Sequence, residues 1–152
     1  RLGIAQAILH NPKILIVDEP TAGLDPEERV RFRNLLCEIA EERIVILSTH
    51  IVGDIEATCE QIAVLNDGEV LYQGTVAGLI GMADGKVYTA QISRHELPKL
   101  KQRYIVTSML TLGNNVMVRF IAEEKPFASA ERCDAGVEDA YMYLMNGEGS
   151  EE

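Results

Sequence analysis

The sequence predicts an α/β fold built on parallel strands, followed by a small α+β domain, and three observations carry that prediction. Two short β-branched apolar stretches, "KILIVD" (13–18) and "RIVILSTH" (43–50), flank a helix with complete start signals. Strand, helix and strand in that order form a βαβ unit, which makes the strands parallel and the crossover right-handed. Beyond residue 86 the order changes to strand, helix, strand, turn, strand, helix, as in an α+β domain.

Residues 1–10 read as a helix with Leu2, Ala5, Ile8 and Leu9 on one face, stopped by Asn11-Pro12. The uninterrupted apolar run 14–17 has the pattern of a strand buried on both faces of a parallel sheet. "LDPEERVRFRNLLCEIAEER" then opens with Asp25 as N-cap, Pro26 at the first helical position and Glu28 three residues after the cap. These residues suit a helix start because its first N–H groups need acceptors and proline has no N–H to lose. Val30, Leu35, Leu36 and Ile39 supply the expected inward stripe. After the strand at 43–50 a short helix runs to about residue 58, and "QIAVLNDGEVLYQG" forms a hairpin turning at Asn66-Asp67-Gly68. Gly78, Gly81 and Gly85 punctuate residues 74–85 and mark the expected division of the chain into 1–78 and 86–152. The second part reads as a strand (86–93), a helix (95–104), a strand, the "LGNN" turn, a strand (116–122) and a helix (137–145). The acidic, glycine-containing end "NGEGSEE" is expected to fray.

A chain of 152 residues has room for one ordinary domain or two small ones. Its net charge of −10 opposes a nucleic-acid surface, which needs cations against phosphate. Cys37, Cys59 and Cys133 are odd in number and lack a CxxC pair, so they read as reduced thiols of a cytoplasmic protein. No apolar run approaches the roughly 18 residues that span a bilayer. The chain opens in mid-pattern, without an initiator Met or a signal-peptide layout, as a piece of a longer protein would.

Chemistry concentrates at the strand ends. Asp18 and Glu19 are adjacent carboxylates at the end of a buried run, where desolvation and like-charge repulsion act together. Parallel α/β sheets bind ligands at the carboxyl ends of their strands, and Ser48-Thr49-His50 ends the next strand. The two acids and the imidazole should therefore face one crevice. A cation and a polyphosphate would account for them there. Mg²⁺ takes carboxylate oxygens and waters, so one carboxylate can hold the metal while the other serves a water. A histidine can hydrogen-bond a terminal phosphate. Taken singly, each feature has a plainer reading: a solvated strand end, a structural histidine, a glycine turn in "TAGLD". Their order and spacing together point to a site.

"ILIVDEP" resembles the Walker B strand of the ATP-binding cassette (ABC) ATPases, "AGLD" their D-loop and "LSTH" their switch-histidine strand. "RLGIAQAILHNPKIL" resembles the helix that follows the family's LSGGQ-type signature, and the likeness covers residues 1–75. It implies a partial P-loop NTPase core. It also implies that Asp18 positions Mg²⁺ through water, that Glu19 is the general base for the attacking water, and that His50 touches the γ-phosphate of ATP. Asp25 would reach across a head-to-tail dimer toward the partner's phosphate loop. No G-x-x-x-x-G-K-[ST] stretch occurs in this sequence, so the whole polypeptide is expected to be an ATPase and this piece alone is not.

"VLNDGEVLYQGTVAGLI" resembles the ending of transporter subunits, and "GVEDAYMYLM" resembles the "LEDxF" stretch of exporter-type subunits. The latter also reads as an amphipathic helix with Val137, Tyr141 and Leu144 inward. The resemblance implies a second ATP-binding subunit, as homodimer or heterodimer, and transmembrane permease subunits as partners, with the protein on the cytoplasmic face of the membrane. Two alternatives stand beside it. One is an ABC ATPase of repair or translation; the other makes residues 86–152 a regulatory or dimerisation module. Lys99, Lys101 and Arg103 read as a solvated helix face.

Overall fold

The computed structural model of the protein describes residues 6–147. Contacts divide the chain into two compact units, Arg1–Cys59 and Glu60–Glu152. In the first, β1 (Ile14–Asp18) leads through α1 (Pro26–Ala40) to β2 (Ile44–Ser48) and then α2 (Val52–Thr58). The strands are parallel and in register from Ile14 opposite Ile44 to Asp18 opposite Ser48. The helix start is built as its sequence dictates. Asp25 Oδ1 accepts the Glu28 N–H at 2.8 Å, and Pro26 follows at the first position.

Leu15, Val17 and Leu36 are the buried centre of this unit, with Phe32, Ile39, Val45, Leu47 and Ile8 packed around them. The inward stripe of α1 differs from the expected one. Phe32, Leu36 and Ile39 lie four and three residues apart and so share a face. Val30 and Leu35 fall on the flanks and are exposed. The strands also differ from a doubly buried pair, because among the described residues α1 covers one face only. Ile14, Ile16, Ile44 and Ile46 alternate with the core residues and remain 51–72% exposed. Of the helix expected at 1–10, residues 6–8 are helical, and it ends at Asn11 (φ 48°), whose N–H donates to the Ile8 carbonyl at 2.9 Å. Leu9 is exposed, while Leu2 and Ala5 lie outside the described residues.

The second unit opens with the hairpin β3 (Gln61–Asn66) and β4 (Glu69–Thr75). Asp67 (φ 47°) and Gly68 (φ 87°) make its two-residue turn, the left-handed pair that matches strand twist. α3 (Val76–Met82) follows, capped by Thr75 Oγ1, which accepts the Gly78 N–H at 2.9 Å. Despite its glycines this stretch is packed: Leu79 and Ala83 are buried and α3 packs against α5. Glycine costs a helix only about 1 kcal/mol per position, which packing of an apolar face readily offsets. By contacts, the second compact unit begins at Glu60.

The rest comprises β5 (Val87–Ser93), α4 (Leu97–Arg103), β6 (Ile105–Leu112), β7 (Asn115–Ile121), β8 (Glu131–Arg132) and α5 (Val137–Gly147). Its sheet runs in the order β6-β7-β5-β8 with every pairing antiparallel. The two-residue β8 is too short to leave a periodic signal in sequence. Phe120 centres the core, its ring 5.4 Å from Tyr104, 6.0 Å from Phe127 and 6.2 Å from Tyr88. On α5, Val137, Ala140 and Leu144 face inward, and so does Asp139. Its carboxylate accepts from Arg119 (Nη2 at 2.6 Å), the Thr107 hydroxyl at 2.7 Å and the Gly136 N–H at 2.8 Å. The end expected to fray lies outside the described residues from 148 on. Among the described residues no helix is long and apolar enough to cross a membrane, and the three cysteines are free thiols.

Candidate functional site

The parallel register sets Asp18 opposite Ser48, so both strands finish at the same edge. The Ser48 hydroxyl donates to Asp18 Oδ1, and the Ser48 carbonyl accepts the Glu19 N–H at 2.9 Å, which carries the ladder one residue past the strand. Glu19 then turns into the left-handed region, φ 44°. For a residue with a Cβ this conformation costs about 1 kcal/mol and persists only where surrounding contacts hold it. Those contacts are plain. The Glu19 carbonyl accepts the Ala22 N–H at 3.1 Å, and its carboxylate is bound from the neighbouring strand end.

Glu19 Oε1 accepts the His50 backbone N–H at 2.9 Å and lies 2.8 Å from His50 Nδ1. Thr49 Oγ1 donates to Oε2 at 3.4 Å and accepts the Ile51 N–H at 3.0 Å. The imidazole is 78% exposed and the Glu19 side chain 34%, so both side chains reach solvent at this edge. Asp18 is exposed beside them. The arrangement supplies a carboxylate for a cation, a second carboxylate oriented by a histidine, and an imidazole facing solvent. Chemically it can bind a hydrated metal and take a proton from a water.

Asp25 stands apart from this trio, its side chain committed to capping α1. Among the described residues no cluster of three or more His, Cys, Asp or Glu side chains could hold a metal ion. A single exposed carboxylate such as Asp18 suits a hard cation that keeps most of its waters, as Mg²⁺ does. Sequence reasoning missed one buried group behind the site: Thr21 donates to Asp54 Oδ2, and Asp54 Oδ1 lies 3.5 Å from Arg33 Nη1. An acid in the first turn of a short helix has an ordinary reading as a favourable end charge, so nothing in the sequence set Asp54 apart.

The chain is 35% identical over 130 residues to the "Uncharacterized ABC transporter ATP-binding protein YxlF" of Bacillus subtilis (strain 168), a match to 86% of this chain and 37% of that protein. The chain belongs to the ATP-binding cassette (ABC) family. Similar figures relate it to the "Uncharacterized ABC transporter ATP-binding protein YhcH" of the same organism: 34% identity over 129 residues, 83% of this chain and 41% of that one. The "Bacitracin transport ATP-binding protein BcrA" of Bacillus licheniformis is 42% identical over 73 residues, 47% of this chain and 24% of its own. The chain thus spans 24–41% of the length of these ABC relatives. No family model matches it. A match of 130 residues is too long for the Walker B, D-loop and switch-histidine part alone, so the likeness reaches the second unit.

Proposed function

We propose that this chain carries the hydrolysis edge of the ATP-binding subunit of an ABC transporter, coupling ATP hydrolysis to transport across a membrane. The carrying observation is the pairing of Glu19 with His50 beside Asp18, three groups that converge from two parallel strand ends. Asp18 would hold Mg²⁺ through water, and the ion supplies charge neutralisation for the phosphates of ATP. Glu19 orients a water and accepts its proton, a role its 2.8 Å contact with His50 fixes in direction. The exposed imidazole of His50 is placed to meet the terminal phosphate. Asp25, at the end of the D-loop, faces a second ATP-binding subunit while its carboxylate caps α1.

Residues 1–78 form the ABC part in this reading and 86–152 an accessory domain. The open face of Ile14, Ile16, Ile44 and Ile46 supports it, since parallel sheets are covered on both faces and this one calls for a further layer. Permease subunits would place the protein on the inner face of the cell membrane. The "GVEDAYMYLM" stretch, which resembles the "LEDxF" stretch of exporter-type subunits, favours export.

Two expected results follow. In the complete protein, ATPase activity requires Mg²⁺, and Asp18→Asn shifts the Mg²⁺ concentration that supports it upward; an unchanged Mg²⁺ requirement would remove Asp18 from the metal. This chain by itself, which lacks the phosphate loop's amides and lysine, binds MgATP poorly and does not hydrolyse it above background. Calorimetry on the isolated chain checks this, and saturable binding at micromolar concentration would contradict it.

A further inference from the structure

Behind the site stands a buried polar pair that the chemistry above leaves unused. Thr21 and Asp54 are 2% and 1% exposed, and the Thr21 hydroxyl donates to Asp54 Oδ2. Thr21 lies two residues after Glu19, in the loop that continues to Asp25; Asp54 lies four residues after His50, in the first turn of α2. The contact therefore bridges the two segments whose ends make the Glu19–His50 pair. Arg33 of α1 closes it from the far side, with Nη1 3.5 Å from Asp54 Oδ1 and donating to the Gly53 carbonyl at 3.3 Å.

We propose that Thr21 and Asp54 are positioning residues for hydrolysis, holding the Glu19 loop at the distance from α2 that keeps the Glu19 carboxylate on His50. The proposal rests on the reading that Glu19 and His50 serve ATP hydrolysis. Space-filling alone is a poor account of the pair. Two apolar side chains of similar volume would fill the same place without the desolvation that a buried carboxylate incurs. A hydroxyl–carboxylate bond has a fixed length and direction, which an apolar contact lacks. That precision is useful here because Glu19 sits at a strained φ of 44°, a conformation that persists only where surrounding contacts hold it. The loop's own closures, Ala22 N–H to the Glu19 carbonyl at 3.1 Å and Leu24 N–H to the Thr21 carbonyl at 3.2 Å, shape the turn but tie it to nothing outside itself. Thr21–Asp54 ties the turn to α2.

The test is steady-state ATP hydrolysis by the complete protein carrying Thr21→Val, Thr21→Ser or Asp54→Asn, with Glu19→Gln in parallel. Valine keeps the shape of threonine and removes only the hydroxyl. Thr21→Val is expected to lower kcat about tenfold, in keeping with the effect of sub-ångström misplacement of a reacting group, while KM for MgATP stays within about twofold. Thr21→Ser, which keeps the hydroxyl, recovers most of the loss. Asp54→Asn, which keeps the shape but not the charge facing Arg33, lowers kcat severalfold and serves as the deciding variant should Thr21→Val not fold. If these variants melt at lower temperature while kcat per folded molecule is unchanged, the pair is structural and the proposal is overturned. If Glu19→Gln itself turns over normally, the hydrolytic reading has failed and the proposal falls with it. Loss of turnover in Glu19→Gln with normal kcat in the other variants overturns the positioning role alone.

Discussion

Glu19→Gln in the complete protein is expected to lower ATP turnover by about a hundredfold or more, the usual contribution of a positioned general base. The amide keeps the length of the side chain and an oxygen for the His50 N–H, which Glu19 Oε1 accepts at 2.9 Å. It cannot take the water's proton. It also removes one negative charge from the edge proposed to face the phosphates of ATP, so MgATP binding should persist or tighten. A loss of both turnover and nucleotide affinity would show that Glu19 holds the metal or the fold. Turnover near the wild-type rate would show that the proton goes elsewhere.

The second unit should respond most to Asp139→Ala, which is expected to destabilise it by about 3–5 kcal/mol, the range for breaking a buried ion pair. Asp139 is 4% exposed against 28% for Arg119, so truncation leaves a guanidinium mostly enclosed without its partner. The Thr107 hydroxyl and Gly136 N–H lose their acceptor too. The pair Arg31–Glu27, with both side chains 75% exposed, should contribute less than about 1 kcal/mol by contrast. Burial pushes the Asp139 carboxyl up, but the Arg119, Thr107 and Gly136 donors together outweigh it and hold it below the ordinary carboxylate range. The unfolded chain therefore takes this proton more readily than the folded one. The stabilisation is fully present above the unfolded value near pH ~3.9 and is lost as pH falls through the lower folded value. Denaturation followed from pH 6 to pH 2 should show a steeper acid loss in the wild type than in Asp139→Asn. Equal slopes would remove Asp139 from the acid response.

Much of this was legible because its causes are local in the chain. Asp25, Pro26 and Glu28 announce a helix start whatever surrounds them, and Asp67-Gly68 announces a tight turn. The placing of Asp18, Glu19 and His50 at one edge follows from parallel strands joined by one helix, a relation that needs no side-chain detail. What escaped depends on partners distant in sequence. An apolar strand reads alike whether or not a layer covers its second face, so the exposure of Ile16 and Ile44 could not be foreseen. The glycines of 74–85 give no sign of the helix packed there, because α5, against which it lies, is some sixty residues on. An acid at a helix start such as Asp139 has an ordinary local reading, and its partners Arg119 and Thr107 lie 20 and 32 residues away. The left-handed turn at Glu19 has no signature, since glutamate does not favour it.

In the proposed reading the adjacent carboxylates Asp18 and Glu19 have separate tasks, metal for one and water for the other, and one measurement tests that division. It is the association state of the complete protein in the presence of MgATP, read by size-exclusion chromatography with light scattering for Glu19→Gln and Asp18→Asn. In the proposed reading, where MgATP closes two subunits and hydrolysis reopens them, Glu19→Gln should accumulate as the nucleotide-bound dimer, because it binds MgATP and cannot complete hydrolysis. Asp18→Asn should stay dissociated at the same nucleotide concentration. Dimer in both variants, or in Asp18→Asn alone, would contradict the assignment of the metal to Asp18 and the base to Glu19.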